Sequence, residues 1–198
     1  MPVIDWRSTL SVRGFVCLQT RRLPVDFASQ LGSRWTGARH LVARNKQMAD
    51  PWSLSGQYGY GAFPWHTDGA VSTRPPRWLI LRPVHLGGQT STELLEPDLE
   101  LQRAMRRTTL QVRDRVGRVR YLPAAIKDEE VLWFRWDPRT CSPRTGLTIE
   151  EMEQREPTEV ITWKEGQLLI LDNARILHRR PAVNPGMKRV LERVYVWK

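Results

Sequence analysis

Residues 166–178 read Gly-Gln-Leu-Leu-Ile-Leu-Asp-Asn-Ala-Arg-Ile-Leu-His, and the run at 167–171 inside them carries the reading of the fold. It is apolar without alternation, starts behind a glycine and stops at Asp172-Asn173. A run this short is a strand covered on both faces rather than a helix. Working outward, residues 189–197 (RVLERVYVW) read as a final strand, 77–84 (RWLILRPV) as a buried strand and 11–20 (SVRGFVCLQT) as an early one. Residues 118–126 and 131–136 alternate as a half-buried sheet does. Short helices are expected at 25–31 behind Pro24, from Glu96-Pro97-Asp98 to about Arg106, and after Thr148 with Glu150 and Glu151. Proline in a first helical turn and acidic residues near it suit the N-terminal end of the helix dipole. Strands dominate and fourteen prolines punctuate them. That pattern predicts a mainly β protein, a sandwich or jelly roll with a few flanking helices, in one domain over 1–198.

Composition narrows the class. No apolar stretch approaches the ~20 residues that span a bilayer, and MPVIDWRSTL has acidic and polar residues where a leader would be apolar. The expectation is a soluble, cytoplasmic protein with no membrane partner. Cys17 and Cys141 are too few for a disulfide framework and read as reduced thiols. The net charge is +10, and residues 101–120 hold seven arginines against Asp114 alone. Such a surplus favours anionic partners: a carboxylated or phosphorylated small molecule, a carrier-borne substrate or nucleic acid. Arginine-rich composition in general gives the same surplus with no partner at all.

The chemistry is concentrated at His66-Thr67-Asp68. Side chains at i and i+2 of an extended chain point the same way, so an imidazole and a carboxylate can share one cation. His178 lies 110 residues beyond Asp68, at the end of the opening stretch, and an antiparallel sandwich can return it beside the first pair. Two histidines and a carboxylate leave open positions on the metal, the arrangement of non-haem iron(II) oxygenases. Taken singly, each histidine has an ordinary reading: His66 as a loop residue bonded to backbone, His178 as a strand-end residue bonded to Asp172.

The neighbouring segments raise the weight of the metal reading. Residues 61–70 (GAFPWHTDGA) resemble the iron-binding segment of the taurine/TfdA dioxygenase family, and Gly87-Gly88-Gln89-Thr90 resembles its GGxT. Residues 166–178 resemble its second histidine motif, and Arg189 and Arg193 follow His178 by 11 and 15 residues, the family's spacing. The similarity runs from about Tyr58 to Tyr195. Residues 134–143 (FRWDPRTCSP) also resemble the clavaminate synthase-like branch, which usually carries glutamate where this chain has Asp68. Only 88 positions separate Thr90 from His178, so the inserts that shape the pocket in relatives are reduced.

The resemblance implies a double-stranded β-helix holding iron(II) through His66, Asp68 and His178, with 2-oxoglutarate as cosubstrate and dioxygen as oxidant. It gives the distal carboxylate of 2-oxoglutarate to Arg193, with Thr90 adding a hydroxyl, and leaves Arg189 open between substrate and cosubstrate. A guanidinium's planar fork suits that task, at about 1.5–3 kcal/mol per charge-assisted bond. The implied reaction oxidises a C–H bond of a small molecule, usually by hydroxylation, with release of succinate and carbon dioxide. Asp68 argues against halogenation, since halogenating relatives carry a small residue there. Asp172, Asn173 and Arg175 are expected to support His178 or close the turn before it. His40 and His85 are expected to be structural, and Trp65, Trp133, Trp136 and Trp163 core or pocket wall. Two other readings stand beside this one: a nucleic-acid-directed demethylase, which the charge favours, and a catalytically silent binding protein on the same scaffold.

Overall fold

The computed structural model describes residues 5–128 and 131–198. Helix α1 (Trp6–Arg13) leads into strand β1 (Phe15–Gln19) and helix α2 (Pro24–Leu31). Two short strands follow, β2 (Arg34–Trp35) and β3 (Arg39–Val42), then helix α3 (Leu54–Tyr58). After a long loop come β4 (Trp78–Leu86), β5 (Ser91–Leu95), α4 (Leu99–Arg106) and β6 (Thr109–Arg113). Strands β7 (Val119–Pro123), β8 (Ala125–Asp128), β9 (Val131–Phe134) and β10 (Cys141–Thr145) precede α5 (Ile149–Glu153). The chain ends through β11 (Glu159–Thr162), β12 (Gln167–Asp172), β13 (Leu177–Arg179) and β14 (Arg189–Trp197).

The protein is mainly β, and the strand pairs described are all antiparallel. The major sheet runs β1-β12-β4-β14-β2, with β3 also on β14, and β5 is flanked by β11 and β13 in a smaller sheet. Strand β12 explains its own composition. Leu168 and Ile170 face one way, into a cluster with Val16, Ile80, Val194, Leu10 of α1 and Phe27 of α2. Leu169 and Leu171 face the other way, onto Leu79, Leu81, Leu191, Leu94 of β5 and Ile161 of β11. Both faces are covered, so both sets must be apolar. Each of these buried side chains contributes about 1.5–3 kcal/mol. A third cluster, with Leu101, Met105, Leu110, Val112, Trp65, Trp136 and Met152, lies around α4, α5 and β6.

The early strand is shorter than residues 11–20. Residues up to Arg13 finish α1, capped by Asp5, which accepts from the Arg7 N–H. Gly14 then turns the chain at φ 73°, a left-handed conformation that favours glycine, and a Cβ there would meet Ile176 Cδ1 at 2.9 Å. The apolar positions at 12 and 16 fit either element, and the two caps decide between them; Val12 ends exposed. Helices form at 24–31, 99–106 and 149–153, close to where they are expected; the second starts only at Leu99, so that Pro97 precedes it and Asp98 is its N-cap, accepting from Leu101 N, as Thr148 accepts from Glu151 N in the third. Residues 5–50 take two places: β1 edges the major sheet beside β12, while β3 borders the cavity described next. Residues 1–4, on which the reading of the leader partly rests, lie outside the described residues. Among the described residues no helix is long and apolar enough to cross a membrane.

Candidate metal centre

His66 and His178 meet as an isolated antiparallel bridge, their backbones exchanging hydrogen bonds of 3.1 and 2.9 Å. Strand β13 holds His178 against Leu94 of β5. Asp68 follows His66 through a turn that Gly69 permits at φ 79°; a Cβ there would meet Pro76 Cδ at 2.8 Å. Asn173, only 1% exposed, grips the backbone of Asp68 from both sides. Its Oδ1 accepts from Asp68 N at 2.8 Å, and its Nδ2 donates to Asp68 O at 3.0 Å and Pro76 O at 2.9 Å. Asn173 therefore positions Asp68 and not His178. Asp172 pairs with Arg77 at 2.6 Å and accepts from Ala174 N, and Arg175 reaches the carbonyls of Ser11 and Val12. Asp172 closes the turn, as one of the sequence alternatives had it, whereas Arg175 instead ties that turn to the end of α1.

The three side chains converge. One ligand atom from each of His66, Asp68 and His178 lies within 4.8 Å of the other two, and all three residues are buried. The His66 ring engages Pro64 O through Nδ1 at 2.9 Å, which leaves Nε2 for a cation. His178 Nε2 stands 3.8 Å from Asp68 Oδ2, while its Nδ1 is buried without a partner. Burial, with His66 and Arg193 nearby, pushes the His178 pKa down to about 3, against the pull of Asp68, so the ring is neutral and able to ligate. Burial opposes the charge on Asp68. The Arg193 guanidinium, the two histidines and a Tyr195 hydrogen bond outweigh it and hold the carboxyl at about 2.

The cluster opens into a cavity of about 500 Å³. Its walls are basic. Arg193 lies 3.4 Å from Asp68 Oδ2 and stacks on the Tyr195 ring at 4.3 Å. Arg139 is fixed by Asp137 at 2.5 Å and donates to Trp52 O at 2.8 Å. Arg189 is different: it is 6% exposed, lines the cavity, and has a buried Nε with no partner. Burial and the charge of Arg180 bring its pKa down to about 9. A buried guanidinium with no acid beside it is costly unless an anion completes it.

Thr90 is only half-buried and is not among the lining residues. Two positions on, Thr92 is: it is 4% exposed, and its Oγ1 accepts from Trp163 Nε1 at 2.9 Å, which leaves its own hydrogen to donate. Sequence reading missed Thr92, Arg139 and Arg180; a threonine two places from the motif was the one signal for the first. His40 also lines the cavity, whereas His85 lies on the surface. Trp65, Trp136 and Trp163 are buried core, and Trp133 is half-buried with the Arg77 guanidinium 5.2 Å above its ring. Both cysteines are free thiols. Of the arginines in 101–120, Arg115 reaches the cavity and pairs with Asp50 at 3.1 Å.

Comparison with known proteins follows the same lines. Residues 149–195 match the family described as taurine catabolism dioxygenase TauD, TfdA family. That stretch holds His178, Arg189 and Arg193, and leaves His66 and Asp68 to the structure. No curated protein matches the chain. Among solved structures, an asparagine oxygenase with Fe(II), 2S,3S-3-hydroxyasparagine and succinate superposes with a TM-score of 0.74 at 16% identity, covering 97% of this chain and 76% of that one. A taurine dioxygenase from Burkholderia xenovorans gives 0.64 at 19% identity, over 98% and 82%. AAD-2 with Mn(II) and N-oxalylglycine gives 0.67 at 13%, over 96% and 86%. The chain thus resembles the TauD/TfdA family: residues 149–195 match its sequence pattern, and the whole has the fold of the taurine dioxygenase-like structures.

Proposed function

We propose that this protein is an iron(II)- and 2-oxoglutarate-dependent dioxygenase that oxidises, most directly by hydroxylation, a C–H bond of a small molecule. The scaffold in this reading is one double-stranded β-helix domain over 1–198. The observation that carries it is the pairing, in one cavity, of a His66–Asp68–His178 donor set with the uncompensated guanidinium of Arg189. The donor set fits iron(II): two imidazoles and a carboxylate would hold the ion and leave positions on it for a cosubstrate. The orphaned Arg189 fits the far carboxylate of a 2-oxo diacid chelated there.

Iron with 2-oxoglutarate and dioxygen supplies the oxidising power, releasing succinate and carbon dioxide. The chain's own residues bind, orient and exclude water. His66, Asp68 and His178 hold the metal. Arg189 takes the distal carboxylate, and Thr92, whose hydroxyl hydrogen is not committed, donates to it. The sequence expectation gave that carboxylate to Arg193 and Thr90. The geometry favours the exchange because Arg193 is already engaged by Asp68 at 3.4 Å, while Arg189 has no acid to balance it. Arg193 then shields the Asp68 side of the metal and faces the substrate space.

Supporting the small-molecule reading are the 3-hydroxyasparagine bound in the asparagine oxygenase, the taurine dioxygenase name of a second neighbour, and the cavity of about 500 Å³. An anionic or carrier-borne substrate agrees with the basic walls. Anaerobic addition of iron(II) and 2-oxoglutarate to the apoprotein should give the visible metal-to-ligand charge-transfer band of a chelated 2-oxo acid. At limiting cosubstrate Arg189→Met should lose that band and Arg193→Met should keep most of it. Iron binding with no band in the wild-type protein would return the silent-scaffold reading to first place.

A further inference from the structure

Arg180 is the second buried guanidinium of the cavity, 5% exposed, and among the described residues no carboxylate pairs with it. Its Nη2 donates to two main-chain carbonyls, Gly59 O and Gly61 O, both at 2.7 Å. Its plane covers the Phe63 ring at 3.7 Å, and its Nε is buried without a partner. The backbones lock as well: Phe63 N donates to Arg180 O and Val183 N to Tyr60 O, each at 2.8 Å. This side chain therefore straps residues 59–63, three residues ahead of His66, to the strand that carries His178. Arg180 and Arg189 are like charges lining one cavity, and the two neutral carbonyls leave the charge of the first uncancelled.

We propose that Arg180 is a positioning residue that couples anion binding at Arg189 to the ordering of the Gly59–Phe63 segment that leads into His66. A carboxylate placed on Arg189 offsets that residue's charge and weakens the repulsion that tends to drive Arg180 off its carbonyls. The segment then tightens and His66 is held in place. By linkage, the same coupling strengthens the anion's binding when the strap is in place, and couplings of this kind amount to roughly 5–150-fold. The inference rests on the proposed role of Arg189, and its test separates the two.

The experiment is hydrogen–deuterium exchange on the iron(II)-loaded protein, without oxygen, with and without 2-oxoglutarate, together with calorimetric titration of 2-oxoglutarate. In the wild type the cosubstrate should slow exchange across residues 59–66 by about fivefold or more. In Arg180→Gln the slowing should vanish and the dissociation constant rise by about fivefold. Arg180→Lys, which keeps the charge and can reach one carbonyl, should recover affinity and part of the protection. Binding by the wild type with unchanged exchange at 59–66 overturns the coupling and leaves the proposed function standing; this arm needs no variant to fold. Wild-type protein that binds iron but not 2-oxoglutarate overturns the proposed function, and the coupling with it.

Discussion

Replacing Asn173 with alanine should cost stability and metal affinity together, because one amide holds the main chain of Asp68 from both sides. The side chain makes three hydrogen bonds of 2.8, 3.0 and 2.9 Å, two to Asp68 and one to Pro76, at 1% exposure. Alanine leaves the Asp68 N–H with no partner and strips the two carbonyls. A buried group left unsatisfied costs about 1–3 kcal/mol, the N–H most of all, so the sum is about 3 kcal/mol. For a chain of this size, about 2–4 °C per kcal/mol makes that a fall in Tm of about 6–12 °C. The turn carrying Asp68 also loosens, and disturbing a group that orients a ligand lowers metal affinity by about 10–100-fold. Urea denaturation of the apoprotein measures the first quantity and competitive iron(II) titration the second. Asn173→Asp keeps the acceptor for Asp68 N but turns both donors into acceptors facing carbonyls, so it should be no better than alanine. A folded Asn173→Ala protein that loses less than about 1 kcal/mol and binds iron normally would refute the assignment.

Other consequences follow from packing and burial. Leu169→Ala, in the cluster between the two sheets and fully buried, should lower the unfolding free energy by about 2–5 kcal/mol in urea; a loss below 1 would mean that the cluster is not the main core. Thr148→Ala removes the hydroxyl that accepts from Glu151 N, one half of the capping box, and should cost about 1 kcal/mol, read from the same titration. Burial pushes the Cys141 thiol up to about 11 and raises Cys17 as well. Both therefore stay protonated at pH 8, and the thiolate is the reactive form. Iodoacetamide should label neither quickly in the folded protein and both in denaturant; fast native labelling of Cys141 would contradict its burial. Gly69→Ala forces a Cβ to 2.8 Å from Pro76 Cδ at a positive φ, and should weaken iron(II) binding more than it changes far-UV circular dichroism.

Much of this molecule was legible in the chain wherever a local rule was strong. The acidic and proline residues at 96–98 and the acids after Thr148 located their helices to within a few residues, because the helix N-terminus favours them locally, and the structure makes Asp98 and Thr148 the caps. The run at 167–171 announced a doubly covered strand because neither face could tolerate polarity. Local signals failed at residues 11–13, where apolar spacing was ambiguous and the Asp5 and Gly14 caps outweighed it. They also failed at the short strands β2, β3 and β13, whose pairing energy comes from distant partners in β14 and β5.

The site divides along the same line. The sequence alone picked out His66, Asp68 and His178, through the i, i+2 spacing of the first two and the motif segments around all three, and the fold brings them together. Only the tertiary structure decided which charges in the cavity are already answered. Arg189 and Arg193 sit four residues apart on one strand and look equivalent in sequence, yet Arg193 lies beside Asp68 while Arg189 has no acid partner among the described residues. Thr92 faces the cavity and Thr90 does not, and Asn173 reaches back 105 residues to grip Asp68. Pairing and desolvation depend on which distant segments close over a side chain, and that is fixed by packing in three dimensions rather than by any neighbour along the chain.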